Sequence, residues 1–304
     1  MLRTYTLSNG RIAEATEGIG PIMVFVAPDE EERRLLVGHF KMDEHTLSSS
    51  LDPDELARLE FEPEHAALIY KRPKNYSSEQ GLAFKVASSG IFLFKDKLIV
   101  VQPEDVNLFE GKQFSKVLTL PEVLLKLIYR SIFHFLEHLK VINAITDELE
   151  QKVNAAMENR YLINLFALEK SLVYYLNAIN TNGVLFEKLR NNAAKMAFNQ
   201  DEIEYLDDIM VENTQCYRQA EIYSNILASL MDARASIVGN NLNVRMKTLN
   251  IITIGIMVPT LVVSAFSMNV GIPLARHRFA FWIIMGLAAI SVIGFMLFWR
   301  RKKW

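Results

Sequence analysis

Residues 248–275 form a stretch without a single charged side chain, and this stretch limits what the chain can fold into. A helix needs about 20 mostly apolar residues to cross the hydrocarbon core of a bilayer. The stretch is long enough, so the sequence predicts a membrane-spanning helix here. Residues 279–299 are also uncharged and predict a second spanning helix, which lacks polar periodicity and should face lipid.

The first of these helices carries a regular set of polar side chains. Steps of seven residues from Asn243 and from Met246 give two lines that share one helix face, as the a and d positions of a heptad do. Every residue on these lines is Asn, Thr, Ser or Met. We call the eight residues the polar stripe: Asn243, Met246, Asn250, Thr253, Met257, Thr260, Ser264 and Ser267.

The polar stripe must face something other than lipid. One interpretation is a seam between packed helices, because Asn and small hydroxyl residues often join membrane helices. Two Asn residues, with Thr or Ser on almost every turn, fit a water-filled lumen better. One such helix cannot enclose a lumen, so this interpretation predicts a homo-oligomer in which each chain supplies one pore-lining helix.

The pore-lining helix is predicted to begin far upstream, near Asp201, since no Pro or Gly follows until Gly239. Such a helix would have about 65 residues and a length of about 100 Å. One line of the polar stripe, followed backwards, reaches Asp232. In an oligomer, a ring of Asp232 carboxylates would concentrate cations at the cytoplasmic neck of the pore.

The part of the chain before the membrane is predicted to be soluble and α+β. Residues 1–120 predict a cytoplasmic α/β domain with a mixed sheet, with strands at 22–26, 66–70, 82–86, 91–94 and 98–101. Asp29 is expected to cap a helix that starts at Glu30. Residues 121–240 predict a helical stalk that opens with an antiparallel pair of helices, from Pro121 to about 158 and from about 161 to 191. No catalytic motif occurs in the sequence, and we expect neither an enzyme nor a nucleic-acid partner.

The pore helix and the turn after it carry a family resemblance. Residues 240–249 read Asn-Asn-Leu-Asn-Val-Arg-Met-Lys-Thr-Leu, Pro259 follows, and residues 266–269 read Phe-Ser-Met-Asn. This resembles the CorA family of divalent-cation channels, which has Asn-x-x-Met-Lys-x-Leu, a proline and Tyr-Gly-Met-Asn at this spacing. The resemblance covers essentially the whole chain and departs from the family at Ser267, where the family has Gly. It implies a pentameric funnel that conducts Mg²⁺, with Co²⁺, Ni²⁺ or Zn²⁺ as alternatives.

The resemblance also implies roles for individual residues. Ser267, Met268 and Asn269 would form the selectivity mouth, and Met246 and Leu249 an apolar constriction. Asp232 matches an aspartate ring of the family, and Asp208 matches an aspartate that binds a regulatory divalent ion between subunits. Mg²⁺ usually keeps several of its waters when it binds. A ring of Asn269 carbonyl oxygens could therefore hold the ion by accepting hydrogen bonds from those waters.

Positive charge predicts the orientation in the membrane. Arg245, Lys247 and the cluster at 300–303 outnumber Arg276 and Arg278, so the positive-inside rule places both termini in the cytoplasm. The expected segments are a pore helix at 241–267, an external loop at 268–278, a second spanning helix at 279–299 and a basic tail at 300–304. The start of the chain lacks the apolar run of a signal peptide, so we expect the soluble part to stay in the cytoplasm. The expected location of the spanning helices is the cell (inner) membrane.

A second function remains open. Ser267 and the basic residues Arg276, His277 and Arg278 are unlike the family pattern, and a basic collar at the mouth would repel cations. These residues favour a non-conducting relative that acts as a membrane-anchored ion sensor or scaffold.

Overall fold

The structure is a computed structural model that describes residues 1–8, 10–15, 20–76, 82–155, 159–271 and 277–301. It divides into two compact units, Met1–Met231 and Asp232–Trp304. The first unit contains all the strands of the described residues, and the described residues of the second form helix and turns.

The first unit is built on a seven-stranded sheet. In chain order, its strands are β1 (Leu2–Ser8), β2 (Arg11–Glu14), β3 (Ile22–Val26), β4 (Arg58–Phe61), β5 (His65–Pro73), β6 (Val86–Phe94) and β7 (Leu98–Gln102). Their spatial order is β2-β1-β3-β7-β6-β5-β4. Strands β3 and β7 run parallel, whereas the other neighbours are antiparallel, so the predicted mixed sheet is confirmed.

Both faces of the central strands are buried, which explains their nearly continuous apolar sequence. Alternate residues of β3 point to opposite faces, with Ile22 and Val24 in one core and Met23 and Phe25 in the other. The second core is closed by helices α1 (Glu30–Gly38) and α2 (Glu44–Ser49). The predicted cap of α1 is confirmed, since the Asp29 carboxylate accepts hydrogen bonds from the backbone N–H groups of Glu31 and Glu32 at 3.0 and 2.9 Å.

The prediction of a strand at 82–86 is wrong except for its last residue, Val86, which begins β6. The backbone N–H of Phe84 donates to the Ser171 hydroxyl at 3.0 Å instead of to a neighbouring strand. The Lys85 carbonyl accepts a hydrogen bond from the backbone N–H of Lys74 at 2.9 Å. Because Ser171 belongs to a helix, the segment is held against that helix and leaves the sheet.

Four longer helices complete the chain. They are α3 (Leu120–Ala155), α4 (Asn159–Asn191), α5 (Gln200–Ala265) and α6 (Ala280–Arg301). Helices α3 and α4 pack on each other and on the first core of the sheet. The predicted long helix is confirmed as α5, whose 66 residues give a length of about 100 Å.

The first part of α5 belongs to the first unit and is amphipathic. It buries Leu206, Ile209, Cys216 and Leu227 in the core that α3 and α4 share. Burial raises the pKa of the Cys216 thiol to about 12, so this cysteine is a packing residue and not a nucleophile.

Candidate functional site

The second unit consists of the later part of α5 and of α6. Among the described residues, these are the two helices long and apolar enough to cross a membrane. Their most apolar windows have a mean hydropathy of 1.9 in α5 and 2.4 in α6. Side chains on both helices are mostly exposed within a single chain, which suits elements surrounded by lipid and by other chains.

Helix α6 packs on an aliphatic face of α5. The Phe295 ring lies against Gly255, where an added Cβ would be 3.5 Å from the ring atom Cε1. The partly buried residues of this part of α5 recur at three- and four-residue spacing and define the same face: Ile251, Gly255, Val258, Pro259, Val262 and Phe266. At 3.5 Å an added Cβ would be in ordinary van der Waals contact with the ring, so this packing does not require a glycine.

The polar stripe lies on the opposite side of α5. All eight of its residues are exposed, including both Met246 and Met257, at 53% and 63%. Leu249, predicted to narrow the pore, is 64% exposed. The stripe is therefore not a seam with α6 of the same chain, and α6 leaves it free to face water or another copy of α5.

Three of the four hydroxyl groups of the stripe, those of Thr253, Thr260 and Ser267, make the same type of hydrogen bond. Thr253 Oγ1 donates to the Leu249 carbonyl at 2.9 Å, and Thr260 Oγ1 donates to the Ile256 carbonyl at 2.7 Å. Ser267 Oγ donates in the same way to the Val263 carbonyl at 3.0 Å. Each hydroxyl thus uses its hydrogen within its own helix and keeps its lone pairs available as acceptors.

The turn after α5 contains the predicted mouth residues Ser267, Met268 and Asn269, which are all exposed. The N–H of Ser267 donates to the Ser264 carbonyl at 3.0 Å, so Ser267 closes the last turn of the helix. Among the described residues, non-glycine positive φ angles occur only at Ala27, Lys41 and Ala197. Ser267 therefore takes an ordinary backbone conformation, which needs no glycine.

The two predicted carboxylate positions, Asp232 and Asp208, are both exposed on α5. Asp232 opens the second unit, and Asp208 belongs to the first. The part of the chain that the structure describes has no group of three or more His, Cys, Asp or Glu residues that could hold a metal.

The basic loop falls partly outside the described residues, since Arg276 is not among them. His277 starts α6: its Nδ1 accepts a hydrogen bond from the N–H of Phe279 at 3.3 Å, and its carbonyl accepts one from Ala280 at 3.0 Å. The Arg278 guanidinium lies 5.9 Å from the centre of the Phe279 ring. Of the basic tail, Arg300 and Arg301 end α6, while residues 302–304 lie outside the described part.

The first unit contains a buried polar cluster that the sequence did not indicate. His138 Nδ1 lies 2.7 Å from the Tyr175 hydroxyl, and the His134 ring lies 4.4 Å from the His138 ring. Burial lowers the pKa of both histidines to about 4 and raises that of Tyr175. The helical spacing of His134 and His138 was a detectable signal, but nothing in the sequence places Tyr175 beside them.

Comparisons with known proteins agree on one family. A family model described as "CorA-like Mg2+ transporter protein" matches residues 23–301. The cobalt/magnesium transport protein CorA of Methanocaldococcus jannaschii is 24% identical over 293 residues, which cover 91% of this chain and 89% of that protein.

Two solved structures share the fold over the full chain. The complete structure of the CorA magnesium transporter from Methanocaldococcus jannaschii has a TM-score of 0.83 at 19% identity and covers 100% of this chain and 98% of its own. The structure of the full-length CmaX protein has a TM-score of 0.74 at 18% identity, with the same coverage. The predicted fold class, a soluble α/β part followed by long helices and two C-terminal spanning helices, is confirmed.

Proposed function

The chain belongs to the CorA-like Mg²⁺ transporter family, and on this premise we propose that it forms a channel for divalent cations. Mg²⁺ is the main ion of this proposal, and Co²⁺, Ni²⁺ and Zn²⁺ are the alternatives. The family consists of membrane transporters and not of enzymes, in agreement with the lack of a catalytic motif in the sequence.

The observation that carries the proposal is the exposed polar stripe on the side of α5 away from α6. Polar side chains in a membrane helix are stable when they line water or meet polar partners. Several copies of α5, each with its stripe inward and its α6 outward, would enclose a lumen of Asn, Thr, Ser and Met side chains. We take the assembly to be a homopentamer, as the resemblance to the family implies.

Three levels along this lumen have distinct proposed roles. Asp232 forms a carboxylate ring at the cytoplasmic neck and attracts cations. Met246 and Leu249 form an apolar constriction from which water leaves when the channel closes. Asn269 forms the outer ring, whose carbonyl oxygens accept hydrogen bonds from the waters of a hydrated ion, with Ser267 and Met268 in the same turn.

The proposal includes regulation and orientation. Asp208 is the candidate ligand for a regulatory divalent ion between subunits. The chain lies in the cell (inner) membrane with both termini in the cytoplasm, and the turn at 267–269 opens to the outside. The basic residues that end α6, Arg300 and Arg301, support this orientation through the positive-inside rule.

A non-conducting sensor or scaffold is the second candidate, because His277 and Arg278 place basic side chains near the mouth. Against this second candidate, Ser267 has an ordinary backbone conformation, so the turn forms without a glycine.

The deciding experiment is divalent-ion flux into liposomes that contain the pure protein, measured with Mg²⁺, Co²⁺, Ni²⁺ and Zn²⁺ in turn. We expect the wild type to carry Mg²⁺. Asn269→Ala should abolish selective Mg²⁺ entry and leave the oligomer assembled, because the acceptor ring is lost. Asn240→Ala, at an exposed α5 position outside the stripe, is the matched control and should conduct normally. An assembled wild type that carries none of the four ions would establish the sensor or scaffold instead.

A further inference from the structure

Arg72 carries a positive charge inside the first unit without a negative partner. Alternate residues of β5 face the first core, among them Leu68 and Tyr70, and Arg72 continues this series. The residue is only 4% exposed. Among the described residues, no carboxylate forms an ion pair with its guanidinium, and Glu104, the nearest negative influence on it, is paired with Lys74 at 2.6 Å.

The hydrogen bonds of Arg72 leave part of its guanidinium unused. Its Nε donates to the Ser89 hydroxyl at 3.0 Å, and its Nη1 donates to the Pro73 carbonyl at 3.3 Å. Its Nη2 is fully buried and has no partner among the described residues. Both bonds go to neutral oxygens, so the charge is uncompensated, and an unpaired buried charge strongly destabilises a fold.

Gln102 is a second buried side chain without partners. It ends β7, is 1% exposed, and has no hydrogen-bond partner among the described residues at either Oε1 or Nε2. Strands β6 and β7 pair Gly90 with Val101. The next pair in the same register is Ser89 with Gln102, and directly opposite side chains project from the same face of a sheet. Because Ser89 binds Arg72, the unpaired atoms of Gln102 and Arg72 belong to one cluster.

Helix α3 adds positive charge to this cluster. Arg130 is held by the Leu108 carbonyl, to which its Nη1 donates at 3.0 Å. His134 lies one turn further along α3, and burial is the main reason that its pKa falls to about 4. The charges of Arg72 and Arg130 lower this pKa further, which shows that both guanidinium groups act on the same part of the core.

We infer that Arg72 and Gln102 bind a small inorganic anion, with the size and charge of chloride, inside the first unit. The anion accepts hydrogen bonds from Arg72 Nη2 and Gln102 Nε2 and neutralises the guanidinium. A buried water could accept the same bonds, but it has no charge and would leave the guanidinium uncompensated. The two unpaired donor nitrogens suit a monoatomic ion better than phosphate, whose four oxygens each need donors. This site does not depend on the proposed channel function.

The test measures the melting temperature of the first unit in the full-length protein in detergent. The salts are sodium chloride, sodium bromide and sodium gluconate at equal ionic strength, since gluconate is too large for a buried site. We expect the melting temperature to be about 3–6 °C higher in either halide than in gluconate, the shift for a ligand at about ten times its Kd.

Two variants assign this shift to the site. Arg72→Gln removes the charge and should abolish the difference between halide and gluconate. Gln102→Leu keeps the charge and should raise the half-saturating chloride concentration by about two- to ten-fold, the factor for one hydrogen bond. Arg190→Gln is the matched control, because Arg190 is exposed and already paired with Asp207 at 2.6 Å. This control should keep the full halide shift.

Bromide also allows a direct observation, because crystals of the full-length protein grown in bromide should show an anomalous peak beside Arg72 Nη2. Equal melting temperatures of the wild type in halide and gluconate would overturn the inference and indicate a buried water. A halide shift that persists in Arg72→Gln would overturn it as well, because the ion would then bind elsewhere. If Arg72→Gln does not fold, Gln102→Leu and the bromide peak decide, and an unchanged half-saturating concentration without a peak excludes the site. Ion flux enters none of these measurements, so their failure would leave the proposed function standing.

Discussion

The two units of the chain differ in the exposure of their apolar side chains. The first unit buries Phe135 and Ile128 to 1% exposure or less, among many others, in the core between the sheet and the long helices. The second unit leaves Phe281 and Ile290 66% exposed and has Ala288 as its buried apolar residue among the described positions. The exposure of an apolar side chain therefore has a different meaning in the two units. Its stability depends on whether water or lipid surrounds the exposed side chain.

Helix α5 contains this contrast within one element. Its first part buries Leu206 and Ile209, while its later part exposes Leu249, Ile252 and Leu261. The only regular polar positions of the later part are those of the stripe, which would be hard to explain if that face met lipid. The same helix therefore has an apolar face directed inward in one unit and a polar face available for a lumen in the other.

The largest effect should come from opening the core of the first unit. Phe135→Ala removes a ring that packs 5.0 Å from Tyr175, and we expect the unit to lose about 3–5 kcal/mol of unfolding free energy. Phe281→Ala makes the same change at an α6 position that we propose to face lipid, and it should alter the stability of the first unit by less than about 0.5 kcal/mol. Hydrogen exchange of α3 in the full-length protein in detergent measures both. Equal losses of unfolding free energy in the two variants would contradict this comparison, because Phe281 would then stabilise the first unit as much as Phe135 does.

A smaller energetic cost is expected when an isoleucine of α6 is replaced by aspartate, and almost none when an equally exposed isoleucine of α4 is replaced. Ile163 on α4 and Ile290 on α6 are both 66% exposed. Ile290→Asp should cost about 2.5–3.5 kcal/mol in membrane insertion, the cost of a charge near the centre of a spanning helix. Ile163→Asp should change stability by only about 0.5 kcal/mol, because that position meets water.

The fraction of protein that resists alkaline extraction from membranes measures insertion of these two variants. We expect the fraction to fall for Ile290→Asp and to match the wild type for Ile163→Asp. A normal inserted fraction for Ile290→Asp would place α6 outside the hydrocarbon core.

The smallest effect at neutral pH comes from the buried histidines, and it grows only on acidification. His134 and His138 have pKa values lowered to about 4, so the folded unit binds fewer protons than the unfolded chain below pH 6.5. Their contribution to stability is therefore present above about pH 6.5 and is lost progressively as the pH falls towards 4. The melting temperature of the first unit should follow this course. In the double variant His134→Gln and His138→Gln, the melting temperature should fall less on acidification than in the wild type. An identical fall in melting temperature would exclude the two histidines as its cause.

The sequence predicted best where one periodicity extends over many residues. Helices α3 to α6 were located to within a few residues, because their apolar spacing or uncharged length is unambiguous. Strands β3, β5 and β7 were found through their short, continuous apolar runs. In contrast, β1 and β4 were missed: β4 has only four residues, too few for its alternation to stand out, and β1 mixes polar and apolar residues without a strict period. The error at 82–86 has a tertiary cause, the bond from Phe84 to Ser171, which no local pattern contains.

The candidate site was predictable in its positions but not in its chemistry. The heptad arithmetic placed all eight residues of the stripe on one face, and the structure exposes all of them. Two facts needed coordinates: the side of α5 that α6 covers, and the direction of the Thr253, Thr260 and Ser267 hydroxyl hydrogens. The mouth and neck assignments, Asn269 and Asp232, remain predictions until flux is measured.

The uncharged stretch at 248–275 also determines what could drive transport. It contains no Asp, Glu, His, Cys, Tyr, Lys or Arg, so no side chain of this stretch, which lies beyond the Asp232 neck, can take up and release a proton. Protons could not be relayed through it by side chains in the way that carboxylates and histidines relay them in pumps. The charge that crosses would be that of the ion alone, and a divalent cation gains roughly 4.6 kcal/mol per 100 mV, twice the value for one elementary charge. The membrane voltage would then contribute this energy to inward movement of the ion.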